Sequence, residues 1–289
     1  MLSPAPLTFE RPPAVWPALV KAVLARRPSL LPPGRTVPAL EARLAPRTPE
    51  PRPLEAYREV CGFEPDGTLP ITYPHALAGP VHLALLTGEG FPVKLLGLVH
   101  LRSRIEAVRP IGELEPLDLR CRVEGHRETD RGQEFDLVTE ARAGGALAWT
   151  ETSTLLARRA GSRPPRPPKG PVAPAGARSM TWSLGAGLGR RYARVSGDYN
   201  PIHLSAATAR LFGFRRAIAH GMWSLARVAA ELQPRLAGGG AVLEVDFKLP
   251  VLLPGRVTLR EWPTGRGFGF ALLDGGGERP HATGTFGPA

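Results

Sequence analysis

"YARVSGDYNPIHLSAATARLFGF", Tyr192–Phe214, is followed two arginines later by "AIAHGMWSLARVAAEL", Ala217–Leu232, and this text decides how the chain is read. Gly197, Asp198, Asn200 and Pro201 form a turn signature. The glycine permits an unusual φ, the two Asx side chains favour local backbone bonds, and the proline stops any helix running into it. A short helix over "SAATARLF" comes next. A longer one follows, in which Met222, Leu225, Ala226, Ala229 and Leu232 recur at helical spacing and define a buried face. "MWSLARVAAEL" is apolar on nearly every side, as a helix enclosed by a sheet should be.

Strand patterns flank these landmarks. In "LEVDFKLPV", Leu243, Val245, Phe247, Leu249 and Val251 alternate with Glu244, Asp246 and Lys248; in "LDLRCRVE", Leu117, Leu119, Cys121 and Val123 alternate with Asp118, Arg120 and Arg122. Strict period two means a sheet with one wet and one buried face. "EFDLVTEAR" and "ALAWTETSTLL" continue the first sheet; "RVTLREW", "GFGFALLD" and "HATGTF" continue the second. The halves also resemble each other. "TYPHALAGPVHLALLTG", from Thr72, places a histidine before an apolar helical segment, as "AIAHGMWSLARVAAEL" does. "PIGELEPLDLR" (Pro110–Arg120) and "PVLLPGRVTLR" (Pro250–Arg260) keep Pro, an aliphatic residue, Leu and Arg in step. Each half therefore reads as a long apolar helix followed by antiparallel strands, an α+β class in which a curved sheet wraps the helix.

The proline-rich "GSRPPRPPKGPVAPAGARS", residues 161–179, cannot hold a helix or a central strand and reads as an extended linker. It divides the chain into a first domain, 1–160, and a second, 180–289. "RPPAVWPALVKAVLARRPSLLPPG" adds a short apolar helix between proline stops, expected to pack on the first half.

Composition narrows the function classes. With 289 residues and 43% hydrophobic content the chain can bury two modest cores. No apolar run reaches the ~18 residues of a bilayer span. The start, "MLSPAPLTFERPP", lacks the basic and apolar regions of a signal peptide. Cys61 and Cys121 fit neither a disulfide framework nor a zinc site, so a reducing cytoplasm is the expected location. The net charge of +11 comes almost wholly from arginine; Lys21, Lys94, Lys169 and Lys248 are the only lysines. Arginine-rich codon usage and a basic ligand entrance both account for this. Nucleic acid is a poor partner, for there is no zinc-finger spacing, aromatic ribonucleoprotein motif or dense basic helix.

Other chemistries fail on their motifs. Asp198-x-Asn200 opens like a calcium loop, but the later Gly and Glu are missing, and no metal is expected. There is no G-x-S-x-G elbow, so Ser196, Asp198 and His203 are not a triad. "GAGLGR" and "GRGFGF" each miss the last glycine of a dinucleotide loop. What remains is an acid–base pair. Asp198 and His203 stand five residues apart across a proline turn, able to converge on one water, with Asn200 to orient either. Gly221 stands near a helix start, where backbone N–H groups lack intrahelical partners and a ligand carbonyl can come close. His220 reads as a structural residue beside that start, kept neutral by the helix end.

"YARVSGDYNPIH", with Ala209, "GF" and "IAHGM" after it, resembles the signature of the MaoC-like family, the hydratase 2 group of (R)-specific enoyl-CoA hydratases and acyl dehydratases. "VDFKLPVLLPG" extends the likeness across the C-terminal half, and the N-terminal half resembles the degenerate first repeat of two-repeat members. The resemblance implies a double hotdog: two antiparallel sheets, each wrapped around a long apolar helix. It implies that Asp198 and His203 activate water, that Asn200 supports them, and that the Gly221 N–H polarises a thioester carbonyl. The reaction implied is reversible syn hydration of a trans-2-enoyl thioester to an (R)-3-hydroxyacyl thioester, without a cofactor. Ser196 and His220 are expected at the substrate, and Arg215 and Arg216 at the phosphates of coenzyme A, or facing an acyl carrier protein. Ser205 and Ala217 depart from the family's usual acidic residue and proline. In the first half Asp66 lacks a following N-P-x-H and Ala76 replaces the glycine, so one active site per chain is expected. A non-catalytic acyl-thioester-binding subunit and a hotdog thioesterase are the alternatives, and exposed sheet edges suggest a homodimer.

Overall fold

The computed structural model describes residues 5–159, 161, 173–174, 176–236 and 238–289. The first half contains β1 (Leu7–Phe9), α1 (Val15–Leu24), β2 (Leu40–Arg47), α2 (Pro51–Cys61), α3 (Tyr73–Thr87), β3 (Leu98–Ala107), β4 (Leu117–Thr129), β5 (Gly132–Ala143) and β6 (Ala146–Arg158). The second contains β7 (Arg178–Leu184), α4 (Leu188–Ser196), α5 (Pro201–Leu204), α6 (Ala206–Arg210), α7 (Gly221–Leu232), β8 (Ala241–Phe247), β9 (Gly255–Thr264), β10 (Gly267–Asp274) and β11 (Pro280–Pro288). Most of the stretch read as a linker lies outside the described residues; its last two positions, Arg178 and Ser179, open β7.

The α+β architecture expected from the period-two strands and apolar helices is present. The alternation works as anticipated in β4, where Leu117, Leu119, Cys121 and Val123 are buried. β8 stops at Phe247, short of Val251, because the N–H groups of Lys248 and Leu249 turn to the carbonyl of His281 (2.8 and 3.4 Å) and Pro250 cannot extend a ladder. The sheets of the two halves are joined. β3 and β8 pair antiparallel, Ser103 opposite Val245 and Ile105 opposite Leu243. The strands therefore run on as one eleven-stranded sheet in the order β1-β2-β4-β5-β6-β3-β8-β11-β10-β9-β7, with β1 and β2 as a parallel pair at one end.

α3 packs on β2, β4 and β5, and α7 on β8, β10 and β11. Both helices bury residues at successive positions, which places them in the interior rather than on a face: Ala76, Ala78, Val81, Leu85 and Leu86 in α3, and Met222, Leu225, Ala226, Val228 and Ala229 in α7. Pro80 sits inside α3, where its missing N–H and ring disturb the turn. Beside it, Gly79 meets the end of α4 so closely that a Cβ there would lie 2.5 Å from the Ser196 carbonyl oxygen. The Trp223 indole N–H donates to the Val60 carbonyl (3.0 Å) and ties α7 to α2.

α1 forms as the N-terminal text suggested. Just beyond it, Arg27 donates to the carbonyls of Leu86 (3.2 Å), Thr87 (2.9 Å) and Gly88 (2.7 Å), satisfying the open end of α3. The helix also reaches the second half: the Trp16 ring lies 4.9 Å from that of Tyr199. Cys61 and Cys121 are both free and buried. Among the described residues, no helix is long and apolar enough to cross a membrane.

Candidate active site

The turn of Gly197–Pro201 is built from its own side chains. α4 ends at Gly197, whose φ of 75° lets its N–H return to the Ala193 carbonyl at 2.9 Å. The Ser196 hydroxyl donates to the Tyr192 carbonyl (2.9 Å) and accepts from the Asp198 N–H (3.2 Å). Asp198 Oδ1 accepts the Asn200 N–H at 3.1 Å, and Asn200 Oδ1 caps α5 by accepting from the Ile202 N–H at 3.4 Å. Pro201 then starts α5 at the one place where a missing N–H costs nothing.

α5 carries His203, and its Nδ1 donates to the Ile218 carbonyl at 2.8 Å. Since a carbonyl can only accept, the proton is on Nδ1, and Nε2 presents its lone pair. The Ile218 N–H bonds in turn to the Ile202 carbonyl (3.1 Å), which stitches the segment before α7 to α5. His220 is the residue that caps α7. By the same logic its Nε2 carries the proton, because it donates to the Asp198 backbone carbonyl at 2.9 Å; it lies 3.8 Å from Asp198 Oδ2. The imidazoles of His203 and His220 stack, 3.6 Å between centroids and 25° between planes, with Tyr192 packed 4.8 Å from the His220 ring.

Burial fixes the charge states. It pushes His220 down to about 3, helped by the neighbouring His203, and it holds His203 below the ordinary histidine value despite the pull of Asp198. Both rings are therefore neutral near pH 7. The Asp198 side chain is 54% exposed, open to solvent on one side and walled by imidazoles on the other. Enclosure alone would raise its carboxyl, but His220, His203 and the Asn200 N–H outweigh this and hold it below the usual range.

Side-chain donor atoms of Asp198, His203 and His220 lie within 4.8 Å of one another, a set of ligand types that suits a metal. Two of the four imidazole nitrogens are already committed to backbone carbonyls, His203 Nδ1 to Ile218 and His220 Nε2 to Asp198, which leaves His203 Nε2 and the unpartnered His220 Nδ1.

Gly221 is the first residue of α7, and among the described residues no acceptor meets its N–H. A Cβ at this position would press on the Phe247 ring at 3.1–3.3 Å. The open N–H at a helix start is suited to a carbonyl oxygen that gains negative charge.

Of the residues singled out in the sequence, Asp198, Asn200, His203, His220 and Gly221 come together. His220 is more central than its expected place beside the helix, since it bonds to the loop and stacks on His203. Ser196 was expected at the substrate, but it is buried and both roles of its hydroxyl go to the backbone, so it shapes the loop. Arg215 and Arg216 are exposed, and Arg216 donates to the Pro254 carbonyl at 2.9 Å. Sequence reasoning did not single out Tyr192 or Phe247. Tyr192 opens the quoted motif, and Phe247 ends an alternating strand, so both were visible as residues but not as neighbours of the site.

A family profile described as "MaoC like domain" matches residues 178–277, a span that holds every group of this site. 3-Hydroxyacyl-thioester dehydratase X of Mycobacterium tuberculosis is 35% identical over 257 residues, covering 88% of this chain and 89% of its own. The chain belongs to the MaoC-like dehydratase family. The crystal structure of HtdX from Mycobacterium tuberculosis superposes with a TM-score of 0.75 at 34% identity, over 86% of this chain and 99% of that one. An (R)-specific enoyl-CoA hydratase of Aeromonas caviae is 36% identical over 78 residues, 26% of this chain and 58% of its own. The double hotdog implied by the motif is the architecture found, and the enzyme class implied, a lyase that adds or removes water, is that of the MaoC-like family.

Proposed function

We propose that this MaoC-like dehydratase catalyses reversible syn hydration of a trans-2-enoyl thioester to an (R)-3-hydroxyacyl thioester. One observation carries the reading: an ionised carboxylate, Asp198, and a bare imidazole nitrogen, His203 Nε2, both lie against His220, and the next residue, Gly221, has an uncommitted N–H. Two acceptors match the two O–H bonds of one water, and its lone pair is left to attack C3. As the C3–O bond forms, negative charge passes to the thioester oxygen, which the Gly221 N–H stabilises. The Asp198–His203 pair takes the water's proton and protonates C2 from the same side. Dehydration runs these steps backwards. His220, neutral and bonded to the Asp198 carbonyl, positions the loop and touches no reacting atom.

The (R) configuration is proposed by likeness to the (R)-specific hydratase of Aeromonas caviae. Coenzyme A is the proposed handle, with Arg215 and Arg216 supplying positive charge for its phosphates. One site per chain is proposed: Asp66 Oδ1, in the first half, accepts from the N–H and hydroxyl of Thr68, and no N-P-x-H follows it. One assay with crotonyl-CoA tests the reading. A hydratase consumes the conjugated enoyl absorbance and releases no thiol. Thiol release would make the protein a thioesterase, and binding without either signal would make it a non-catalytic thioester binder.

A further inference from the structure

The interior of the first half holds a polar cluster for which hydration of a short enoyl thioester has no use. Glu151, on β6, is 1% exposed. One carboxylate oxygen accepts from His75 Nδ1 at 2.6 Å, and the other accepts from the hydroxyls of Ser103 (2.7 Å) and Ser153 (3.1 Å). Farther along α3, His82 Nε2 lies 2.7 Å from the Thr139 hydroxyl, with its ring 5.4 Å from that of His75. Apolar side chains of the same volume would serve folding as well or better. The second half takes that course, burying Leu243, Val245, Phe270, Leu272 and Phe286 on the strands around α7.

The cluster adjoins the reaction centre on two sides. His75, Gly79 and His82 share one face of α3 by their i, i+4, i+7 spacing. On that face Gly79 abuts the Ser196 carbonyl, two residues before Asp198. On the other side the His100 ring, in β3, lies 4.9 Å from the ring of Phe247, the same ring that borders Gly221. Asp198 acts electrostatically on both His75 and His100.

His75 is also incompletely used. Burial alone would lower it, but the Glu151 charge raises it above the ordinary histidine value, while burial would raise Glu151 and His75 brings it to about 2. A buried carboxylate 2.6 Å from Nδ1, already accepting two hydroxyls, favours the imidazolium form, whose second N–H, at Nε2, meets no acceptor among the described residues. Its side chain is 19% exposed, so this donor faces open space.

We propose that the His75–Glu151 pair recognises an acceptor oxygen on the acyl tail, so that the preferred substrates are enoyl thioesters carrying a keto or hydroxyl group beyond the double bond. This rests on the hydratase reading above. A plain alkyl tail reaching the cluster would strip water from a charged N–H and return nothing, whereas an oxygen would replace the lost bond.

The test compares trans-2-decenoyl-CoA with a series bearing one keto or hydroxyl group at successive tail positions. Turnover is followed in parallel with calorimetric binding of the saturated acyl-CoA counterparts. The wild type should favour at least one oxygenated chain about tenfold or more over the alkyl chain in kcat/KM and in binding. The double variant His75→Phe, Glu151→Leu, which replaces the pair by apolar groups, should erase that preference and keep crotonyl-CoA turnover within about threefold. Glu151→Gln, which keeps the shape, should weaken the preference. Equal use of all chains by the wild type, or a preference that survives in the double variant, overturns the proposal. A binding preference without hydration of any chain would refute the hydratase reading and leave the recognition site standing.

Discussion

Gly79→Ala, a change in the half without the motif, tests whether the fold holds the catalytic loop in the way described. In an open helix interior this substitution stabilises by about 1 kcal/mol. Here the new Cβ would sit 2.5 Å from the Ser196 carbonyl oxygen, about 0.9 Å inside the 3.4 Å at which ordinary contact begins. Both partners are backbone, so no side chain can swing aside, and Pro80 further disfavours a Cβ on the residue before it in helical conformation. Overpacking of this kind costs about 1–3 kcal/mol. The usual gain is therefore cancelled or reversed, to a net loss of up to about 2 kcal/mol. The displacement falls on Ser196, whose hydroxyl holds the Asp198 N–H. A shift of about 1 Å in a reacting group lowers rate about 10²-fold. The assay is kcat/KM on crotonyl-CoA beside a thermal melt, and the expected signature is a rate loss far larger than the loss of folded protein. A raised Tm with wild-type turnover would refute the claimed contact between α3 and the loop.

Further predictions concern the site itself. Asp198→Asn and His203→Ala should each reduce hydration by about 10²–10⁴ with near-native melting, and near-normal rates in either variant would dissolve the pair. Gly221→Val should lower turnover, since its side chain crowds both Phe247 and the space for the carbonyl; unchanged kinetics would remove the N–H from the mechanism. Hydration needs His203 neutral and Asp198 ionised, and both are held below their ordinary values, so the acid limb of kcat/KM should fall below the ~6.5 of a free histidine. An acid limb at or above that value contradicts the assigned tautomer and burial. His82 and His220, each at about 3, are neutral in the fold but protonate when unfolded. Stability should therefore fall as pH drops below ~6.5, by about 1.4 kcal/mol per unit for each, levelling off near the folded values. Denaturant midpoints that stay flat from pH 7 to 5 would count against this.

The motif segment and most strands were legible because their signals are local. The Asx turn of Asp198–Asn200, the helix start at Gly221 and the alternation in β4 each need only neighbours in sequence to be recognised. β3 was not visible, although it joins the halves. Its inward positions include Ser103, and a register shift between His100 and Arg102 breaks the period, so it reads as polar on both faces. The inward turn of Ser196 was hidden for another reason: a hydroxyl in a catalytic motif looks the same whether it faces substrate or backbone. The stacking of His203 on His220, and the approach of α3 to the loop, depend on tertiary contacts that no spacing encodes.

The junction of β3 with β8 has a consequence for what each interior can become. Two identical wraps meeting edge to edge would share every side chain, so a charge admitted to one core would appear in its twin. Here the two wraps are different stretches of one chain, and that constraint is absent. The strands packed on α7 keep their greasy filling, while those around α3 are free to accumulate imidazoles and a carboxylate that an evenly built partner would have had to suffer twice.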